Sequence, residues 1–153
     1  MGLNIIPISI NGVVKQPLLQ IEDFRGAVLH MLREDSPLFS RFGEIYFSLI
    51  HAGVIKGWKR HRLITQHFTV PMGRIRLIIY DAREQSPTHG QVSEYLLGRP
   101  DNYCLLRIPP MIWYGFQGHG QEDALVANLT DLAHDPKESE TLPLDTQEIP
   151  FSW

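Results

Sequence analysis

Short apolar stretches with the period of a β-strand recur along the chain, with turn-forming residues between them. In "RIRLIIY" (74–80), Ile75, Leu77 and Ile79 fall on one face and Arg74 and Arg76 on the other, as in a half-buried strand. Similar runs of strand length occupy 44–50, 64–70, 103–108, 112–116 and 124–130. Turn signals rich in Gly, Pro, Asn and Asp lie at 71–73, 86–90, 98–102 and 118–123. The pattern predicts an all-β sandwich or barrel.

Signals for helices are few. "SPLFSRFG" (36–43) predicts one short helix, with Ser36 as its N-cap and Pro37 at its first position. "QVSEYLLG" (91–98) fits either a helix or a strand. The last five residues, "IPFSW", are mostly apolar and are expected to dock on the body of the protein. With 153 residues, we expect a single domain over 1–153.

Composition and charge narrow the classes of function. The chain is 43% hydrophobic with a net charge of -3, whereas a general nucleic-acid binder is usually strongly basic. Cys104 is the one cysteine, so no internal disulfide forms, which suits a reducing cytoplasm. The N-terminal stretch lacks the pattern of a signal peptide, and no apolar run approaches the roughly 20 residues of a membrane span. We therefore expect a cytoplasmic protein without a nucleic-acid or membrane partner.

The strongest local signal is the basic stretch "GVIKGWKRH" (53–61). In a regular strand, Lys56, Trp58 and Arg60 share one face with Val54, and Gly57, Lys59 and His61 share the other with Ile55. A bulge at Gly57 would change this assignment. The charge has two interpretations: a solvated edge strand whose lysines discourage aggregation, or a clamp for a diphosphate.

Aromatic residues favour the second interpretation of the basic stretch. Charge to bind phosphate together with flat rings for a base and a sugar suits a sugar nucleotide, although some of these rings must simply fill the core. The aromatic residues on or beside the same strands are Tyr46, Trp58, Tyr80, Trp113 and Tyr114.

Metal and nucleophile signals are weak. The seven histidines form no H-x-H pair, although His61 and His67 are six residues apart and could lie on adjacent strands. A metal-dependent enzyme using this pair is therefore one hypothesis. Cys104 lies in an apolar strand pattern and is expected in the core rather than as a nucleophile.

The order of several motifs resembles the dTDP-4-dehydrorhamnose 3,5-epimerase family, whose fold is a cupin-like jelly roll. The resemblance covers roughly 18–153, and its most specific stretch is "YDAREQSPTHG" (80–90), similar to the family's V-D-x-R-x-x-S-P-T-F-G. The other matching stretches are "EDFRG" (22–26), "GVIKGW" (53–58), "IPPMIWYGF" (108–116), "DPKESE" (135–140) and "IPFSW" (149–153).

The resemblance implies a reaction and an assembly. The family epimerises a 4-keto-6-deoxy sugar nucleotide without a metal or organic cofactor, in the synthesis of polysaccharide or deoxysugar precursors. A histidine removes the proton alpha to the ketone, a tyrosine returns a proton from the other face, and basic groups stabilise the enolate and hold the diphosphate. The resemblance also implies a homodimer whose N-terminal strands extend the partner's sheet.

This chain departs from the family at the residues that move protons. The slot of the catalytic histidine holds Lys59, and the family's arginine is Lys56. Tyr114 replaces a histidine, Ala127 stands where the tyrosine acid is expected, and the family's lysine falls near Gln66. The chain is thus similar to a divergent member with the catalytic histidine and tyrosine positions replaced.

Three hypotheses follow from the resemblance and the residues. In the first, an epimerase or isomerase acts on a dTDP-4-keto-6-deoxyhexose with Lys59 or His61 as the base and Tyr114 as the acid. Asp145 matches the aspartate that orients the family's base, and Arg25 matches an arginine offered across the dimer. The second is a non-catalytic sugar-nucleotide-binding cupin, and the third is the metal-dependent enzyme. The residues expected to bind substrate are Arg25, Lys56, Trp58, Arg60, Gln66 and Arg74.

Overall fold

The computed structural model describes residues 5–153 and consists almost entirely of antiparallel strands. It confirms the prediction of an all-β, cupin-like jelly roll. A short 3-10 helix, Pro136–Glu138, precedes the last strand. The strands are β1 Ile6–Pro7, β2 Val14–Pro17, β3 Gln20–Asp23, β4 Gly26–Leu29, β5 Glu44–Ile50, β6 Ile55–His61, β7 Gln66–Met72, β8 Arg74–Asp81, β9 Val92–Gly98, β10 Cys104–Ile108, β11 Ile112–Gly118, β12 Ala124–Thr130 and β13 Ser139–Thr141.

Two sheets face each other across the main core. The six-stranded sheet has the order β1-β2-β10-β7-β12-β5, and the five-stranded sheet has the order β13-β6-β11-β8-β9. The strands β3 and β4 form a separate two-stranded hairpin. The core between the sheets includes Phe68 and Val126 from one sheet and Leu77 and Ile79 from the other. In residues 5–153, the structure contains no helix with the length and apolar character needed to cross a membrane.

The expected strands at 44–50 and 124–130 match β5 and β12, and the ambiguous stretch 91–98 is the strand β9. The predicted helix at 36–43 is wrong. Ser36 begins a single turn instead, because its carbonyl accepts from the Phe39 amide at 3.0 Å and its hydroxyl from the Leu38 amide at 3.2 Å. The buried Leu38 carbonyl then faces His67 Nε2 at 3.2 Å and does not continue a helix.

A β-bulge interrupts strand β6. Tyr114 of β11 pairs with Lys59, but Phe116, two residues on, pairs with Lys56. The extra residue on β6 places Lys56 and Lys59 on the same inner face. The regular alternation predicted for Lys56 is therefore wrong, and the alternative of a bulge near Gly57 is confirmed.

A second apolar cluster covers the outer face of the five-stranded sheet. Trp58 is 0% exposed there, with Ile78 and Trp113. The C-terminal Ile149 is buried against them, and the Trp153 ring lies 5.2 Å from the Trp58 ring between centroids. The docking of "IPFSW" is therefore confirmed.

The family-like stretch 80–90 forms a braced turn around a buried carboxylate. Asp81 is 0% exposed and accepts hydrogen bonds from Arg83 Nε at 2.8 Å and from the hydroxyls of Ser86 and Thr88 at 2.6 Å each. Arg83 also donates to the Asn11 carbonyl at 2.6 Å. The network joins this turn to the N-terminal segment, so its role is structural.

Candidate functional site

A cleft of about 180 Å³ lies between the two sheets and combines charge with hydroxyl and amide groups. One wall comes from β6 and β11 of the five-stranded sheet, and the other from β5, β7 and β12 of the six-stranded sheet. The residues that line it are Tyr46, Ser48, Lys56, Gly57, Lys59, Phe68, Tyr114, Phe116, Val126 and Asn128.

His61 adjoins this cleft at Tyr114 and is held by a carboxylate. The imidazole is buried, with Nδ1 hydrogen-bonded to Glu138 Oε1 and Nε2 3.3 Å from the Tyr114 hydroxyl. The other oxygen of Glu138 accepts from the backbone amides of Leu63 at 3.1 Å and Ile64 at 3.3 Å. The carboxylate therefore accepts a hydrogen bond from Nδ1–H, and Nε2 keeps its lone pair.

Burial and hydrogen bonding set the charge of this group. Burial lowers the pKa of His61, and the opposing effect of Glu138 does not restore its ordinary value. Burial raises the pKa of Glu138, but the hydrogen bonds from His61 and the two amides outweigh it, so the pKa falls below its usual range. Burial raises the pKa of Tyr114 far above that of a free phenol. At neutral pH the site holds a neutral imidazole, an ionised carboxylate and a neutral phenol.

Two lysines supply the positive charge of the cleft. The bulge brings both Lys56 and Lys59 to its lining. Lys56 Nζ crosses from β6 to β5, where it donates to Ser48 Oγ at 2.8 Å and to the Leu49 carbonyl at 2.6 Å. An ammonium group thus bridges the two walls at the edge of the cleft.

The opposite wall carries a hydrogen-bonded row of Tyr46, Asn128 and Gln66. Asn128 Nδ2 donates to the Tyr46 hydroxyl at 2.8 Å and to Gln66 Oε1 at 3.0 Å. Gln66 and Asn128 are buried, whereas Tyr46 is half-buried at the cleft. Gln66, which was expected to bind substrate, thus lies behind the residues that line the cleft.

Of the predicted site residues, Lys56, Lys59 and Tyr114 line the cleft and His61 adjoins it. Asp145 is exposed, and Glu138 is the carboxylate that contacts His61. Asp145 was expected to orient the base, and the carboxylate that His61 contacts is Glu138, because the polypeptide brings the turn at Pro136–Glu138 to the end of β6.

Four predicted substrate-binding residues lie outside the cleft. Trp58 and Arg60 face outward because they alternate with Lys59 and His61. Arg60 donates to Glu140 at 2.7 Å and lies over the Trp113 ring. Arg74 lines a different surface hollow, together with Arg99 and His119. Arg25 sits at the tip of the β3–β4 hairpin, paired with Asp23 at 2.6 Å.

The structure does not bring His61 and His67 together. They lie on strands of opposite sheets, and His67 Nδ1 and Nε2 face the carbonyls of Leu129 at 2.9 Å and Leu38 at 3.2 Å. Within residues 5–153, no cluster of three or more His, Cys, Asp or Glu side chains has an arrangement that could hold a metal ion.

Sequence reasoning missed the functional positions of Glu138, Tyr46 and Asn128. Glu138 lies in the stretch "DPKESE" that carries part of the resemblance, and Tyr46 belongs to the aromatic set noted beside the basic strand. Asn128 lies in a strand pattern that shows no special signal. Each contact joins residues far apart in sequence, so local patterns do not reveal it.

Comparisons with known proteins agree with this geometry. The sequence model of the dTDP-4-dehydrorhamnose 3,5-epimerase family matches residues 7–153. A dTDP sugar isomerase from Desulfovibrio desulfuricans G20 is 56% identical, with a TM-score of 0.92, covering 94% of this chain and 92% of that one. A probable low-salt glycan biosynthesis epimerase of Haloferax volcanii is 34% identical over 149 residues, 95% of each chain.

Two further relatives extend the comparison. A spore coat polysaccharide biosynthesis protein of Bacillus subtilis is 30% identical over 146 residues, 94% of this chain and 96% of that one. A 4-keto-6-deoxy sugar epimerase from Streptomyces spheroides is 21% identical with a TM-score of 0.86, covering 100% of this chain and 80% of that one, and it shows the shared fold.

The cupin-like fold, together with these matches, defines the class of protein: an isomerase of the sugar-nucleotide epimerase type. The chain belongs to the dTDP-4-dehydrorhamnose 3,5-epimerase family.

Proposed function

We propose that this protein epimerises a dTDP-linked 4-keto-6-deoxyhexose by removing a proton alpha to the ketone, in the synthesis of a polysaccharide or deoxysugar precursor. The observation that carries the proposal is a neutral, buried His61 held by an ionised Glu138 beside a cleft with two lysines. The relatives that act on dTDP sugars, or in glycan and spore-coat polysaccharide synthesis, support the substrate class.

In the proposed reaction, His61 Nε2 removes the proton from C3 or C5 of the sugar. The Tyr114 side chain first moves its hydroxyl away from Nε2, to which it has a contact of 3.3 Å. The electrons of the C–H bond form the enolate double bond, and the charge moves to the ketone oxygen. Lys59 and Lys56, both at the cleft, stabilise that charge. Glu138 holds the imidazole in its basic tautomer and stabilises the imidazolium.

Lys59 is the competing base, since it occupies the slot of the family's histidine. The contacts of the two residues favour His61. A base requires a lone pair at neutral pH and a group that orients it. Glu138 and burial provide both for His61, and the positive charge of Lys59 is better suited to the enolate.

We also propose that the chain works as a homodimer in the cytoplasm. The outer face of the edge strand β5 exposes Ile45, Phe47 and Leu49, with 61% of Phe47 accessible. The tip of the β3–β4 hairpin exposes Phe24 by 98%, beside Arg25. A partner that covers these surfaces places Arg25 where it can bind a diphosphate. Strands β1 and β2 pair within their own sheet, so the hairpin is the N-terminal element free to extend outward.

Proton exchange tests the reaction. The protein is incubated with dTDP-4-keto-6-deoxyglucose in deuterated water, and the C3 and C5 protons are followed by NMR. We expect washout with the unmodified protein and its loss in His61→Gln. His119→Gln is the matched control because His119 is exposed and outside the cleft, and it keeps washout.

Three results would change the proposal. Washout that persists in His61→Gln but disappears in Lys59→Ala transfers the base to Lys59. Binding without washout favours the alternative function, a non-catalytic sugar-nucleotide-binding cupin. A requirement for added metal, removed by chelation, would overturn the metal-free mechanism.

A further inference from the structure

We infer that Tyr46 is the catalytic acid that returns a proton to the sugar on the face opposite His61. The inference rests on the proposed function and assigns a residue that the family-like motifs do not mark. Tyr46 lies on β5 and lines the cleft from the six-stranded sheet, whereas His61 lies on β6 of the five-stranded sheet. A sugar ring between the sheets presents one face to each residue, as inversion at carbon requires.

Asn128 fixes the direction of the Tyr46 hydroxyl. Asn128 Oδ1 accepts from the His67 backbone amide at 3.2 Å, so its Nδ2 must be the group that faces Tyr46. That Nδ2 donates to the phenol oxygen at 2.8 Å. Because the phenol oxygen accepts this bond, its own proton is free to point into the cleft. Gln66 accepts the second proton of the same amide at 3.0 Å and keeps the row rigid.

The same contact supports the phenolate that remains after proton transfer. A hydrogen bond to the charged form of an acid stabilises that form. Burial raises the pKa of Tyr46, and the Asn128 hydrogen bond acts against this effect. Tyr46 is thus neutral before the transfer, and Asn128 stabilises the anion after it.

Tyr114 is less suited to this step, although it occupies a motif slot. Its hydroxyl contacts Nε2 of His61 itself, and it lies on β11, next to β6 in the same sheet. A proton from Tyr114 would come from beside Nε2, the atom that removes the proton in the proposed reaction. Tyr114 is also only 6% exposed, whereas Tyr46 is half-buried at the cleft.

Proton transfer from Tyr46 completes the inversion begun by His61. His61 holds the proton taken from the carbon, and the enolate carries the electron pair of that bond. The ketone re-forms as the C=C pair takes the Tyr46 proton on the opposite face, which leaves a phenolate and an imidazolium. Water returns a proton to Tyr46 and removes one from His61 before the next turnover.

Tyr46→Phe separates removal of the proton from inversion. With dTDP-4-keto-6-deoxyglucose in deuterated water, we expect deuterium to enter with retained configuration, because His61 still removes and returns a proton on its own face. Formation of the epimer, followed by its NMR coupling constants, falls by at least about 100-fold. Tyr80→Phe is the matched control: Tyr80 packs on the outer face of the five-stranded sheet, and its loss of one hydroxyl leaves both rates unchanged.

The outcomes separate this inference from the proposed function. If the unmodified protein exchanges and Tyr46→Phe inverts at the same rate, Tyr46 is not the acid and the function stands. If Tyr114→Phe loses inversion while Tyr46→Phe keeps it, the acid is Tyr114. If the unmodified protein neither exchanges nor inverts, the function and this inference both fail. A melting temperature of Tyr46→Phe within a few degrees of the unmodified protein shows that the loss is chemical.

Discussion

Two buried histidines on facing sheets differ in chemistry because their partners differ. Both ring nitrogens of His67 face backbone carbonyls, so this ring joins the segment around Leu38 to β12 and offers no base. His61 has a carboxylate on one nitrogen and a phenol on the other. The carboxylate fixes the tautomer, and the phenol marks the direction of the free lone pair. Burial alone would not have distinguished these two residues.

At the scale of single residues, Glu138→Gln tests the role of the carboxylate. The variant keeps the shape of the side chain but loses the charge that stabilises the imidazolium. We expect the rate of proton washout to fall by about 10- to 100-fold. The matched control is Glu140→Gln, whose carboxylate pairs with Arg60 and Arg62 on the outer face. Equal rates in both variants would show that Glu138 only braces the fold.

The pH dependence of the reaction has a defined direction. Since burial lowers the pKa of His61, kcat/KM for washout rises with pH to a plateau, and the midpoint of the rise lies below the ordinary histidine pKa of 6.5. Glu138 acts to raise that pKa, so Glu138→Gln moves the acidic limb to still lower pH. The measurement is kcat/KM from about pH 4 to 8, which reports ionisations of the free enzyme. An acidic limb that moves upward in the variant would contradict the assignment.

At the scale of strands and turns, most of the fold is predictable from the sequence. In β8, Ile75, Leu77 and Ile79 enter the core as their alternation predicts. The failures occur where distant residues decide the local structure. The Leu38 carbonyl in the turn after Ser36 faces His67, 29 residues away, and the face of Lys56 depends on a bulge that a regular period does not include.

The candidate site was predictable only in part, for the same reason. The basic strand pointed to the cleft, and His61 was one of two candidate bases. Its partner Glu138 lies 77 residues away along the chain, so spacing gave no signal for the pair. Asp145, selected by its motif, is on the surface.

The turn around Asp81 gives a prediction for stability. Burial raises the pKa of Asp81, but hydrogen bonds from Arg83, Ser86 and Thr88 lower it by more. A carboxylate of this kind stabilises the fold above its unfolded pKa, near 3.8, and the contribution is lost as the pH falls below that value. We expect Asp81→Asn to lower the free energy of unfolding by about 3–5 kcal/mol at pH 7.

Chemical denaturation at pH 7 and at pH 3 checks this expectation. The difference in stability between Asp81→Asn and the unmodified protein should be smaller at pH 3. Asp101→Asn is the matched control because Asp101 is exposed, and it should change stability by less than about 0.5 kcal/mol. A difference that is the same at both pH values would show that the charge of Asp81 contributes nothing.

At the scale of the whole molecule, the outer face of β5 is the apolar surface that a second copy would cover. Ile45, Phe47 and Leu49 point outward, while Tyr46 and Ser48 of the same strand point into the cleft. Because side chains alternate along β5, this one strand supplies residues both to the proposed dimer surface and to the cleft.

Phe47→Glu tests the proposed dimer. A charge at this position would be desolvated in an interface but tolerated on a free surface. We expect the unmodified protein to sediment as a dimer and the variant as a folded monomer, measured by analytical ultracentrifugation and circular dichroism. Glu84→Lys is the control, an exposed charge change in the turn between β8 and β9, which belong to the other sheet. A variant that remains dimeric would place the interface elsewhere.

The bulge in β6 has a consequence for comparing this protein with its relatives. Downstream of Gly57, the alternation of side chains is shifted by one residue relative to the segment before it. The face of the sheet that a side chain occupies therefore depends on the number of residues in β6 as well as on residue type. If an alignment with a relative that lacks the extra residue places the gap before Lys56 instead of at Gly57, Lys56 is matched with an outward-facing residue of that relative. Deletion of Gly57 would leave Lys56 opposite Phe116 and Lys59 opposite Tyr114, so a relative with a regular strand one residue shorter can keep both cations in the cleft.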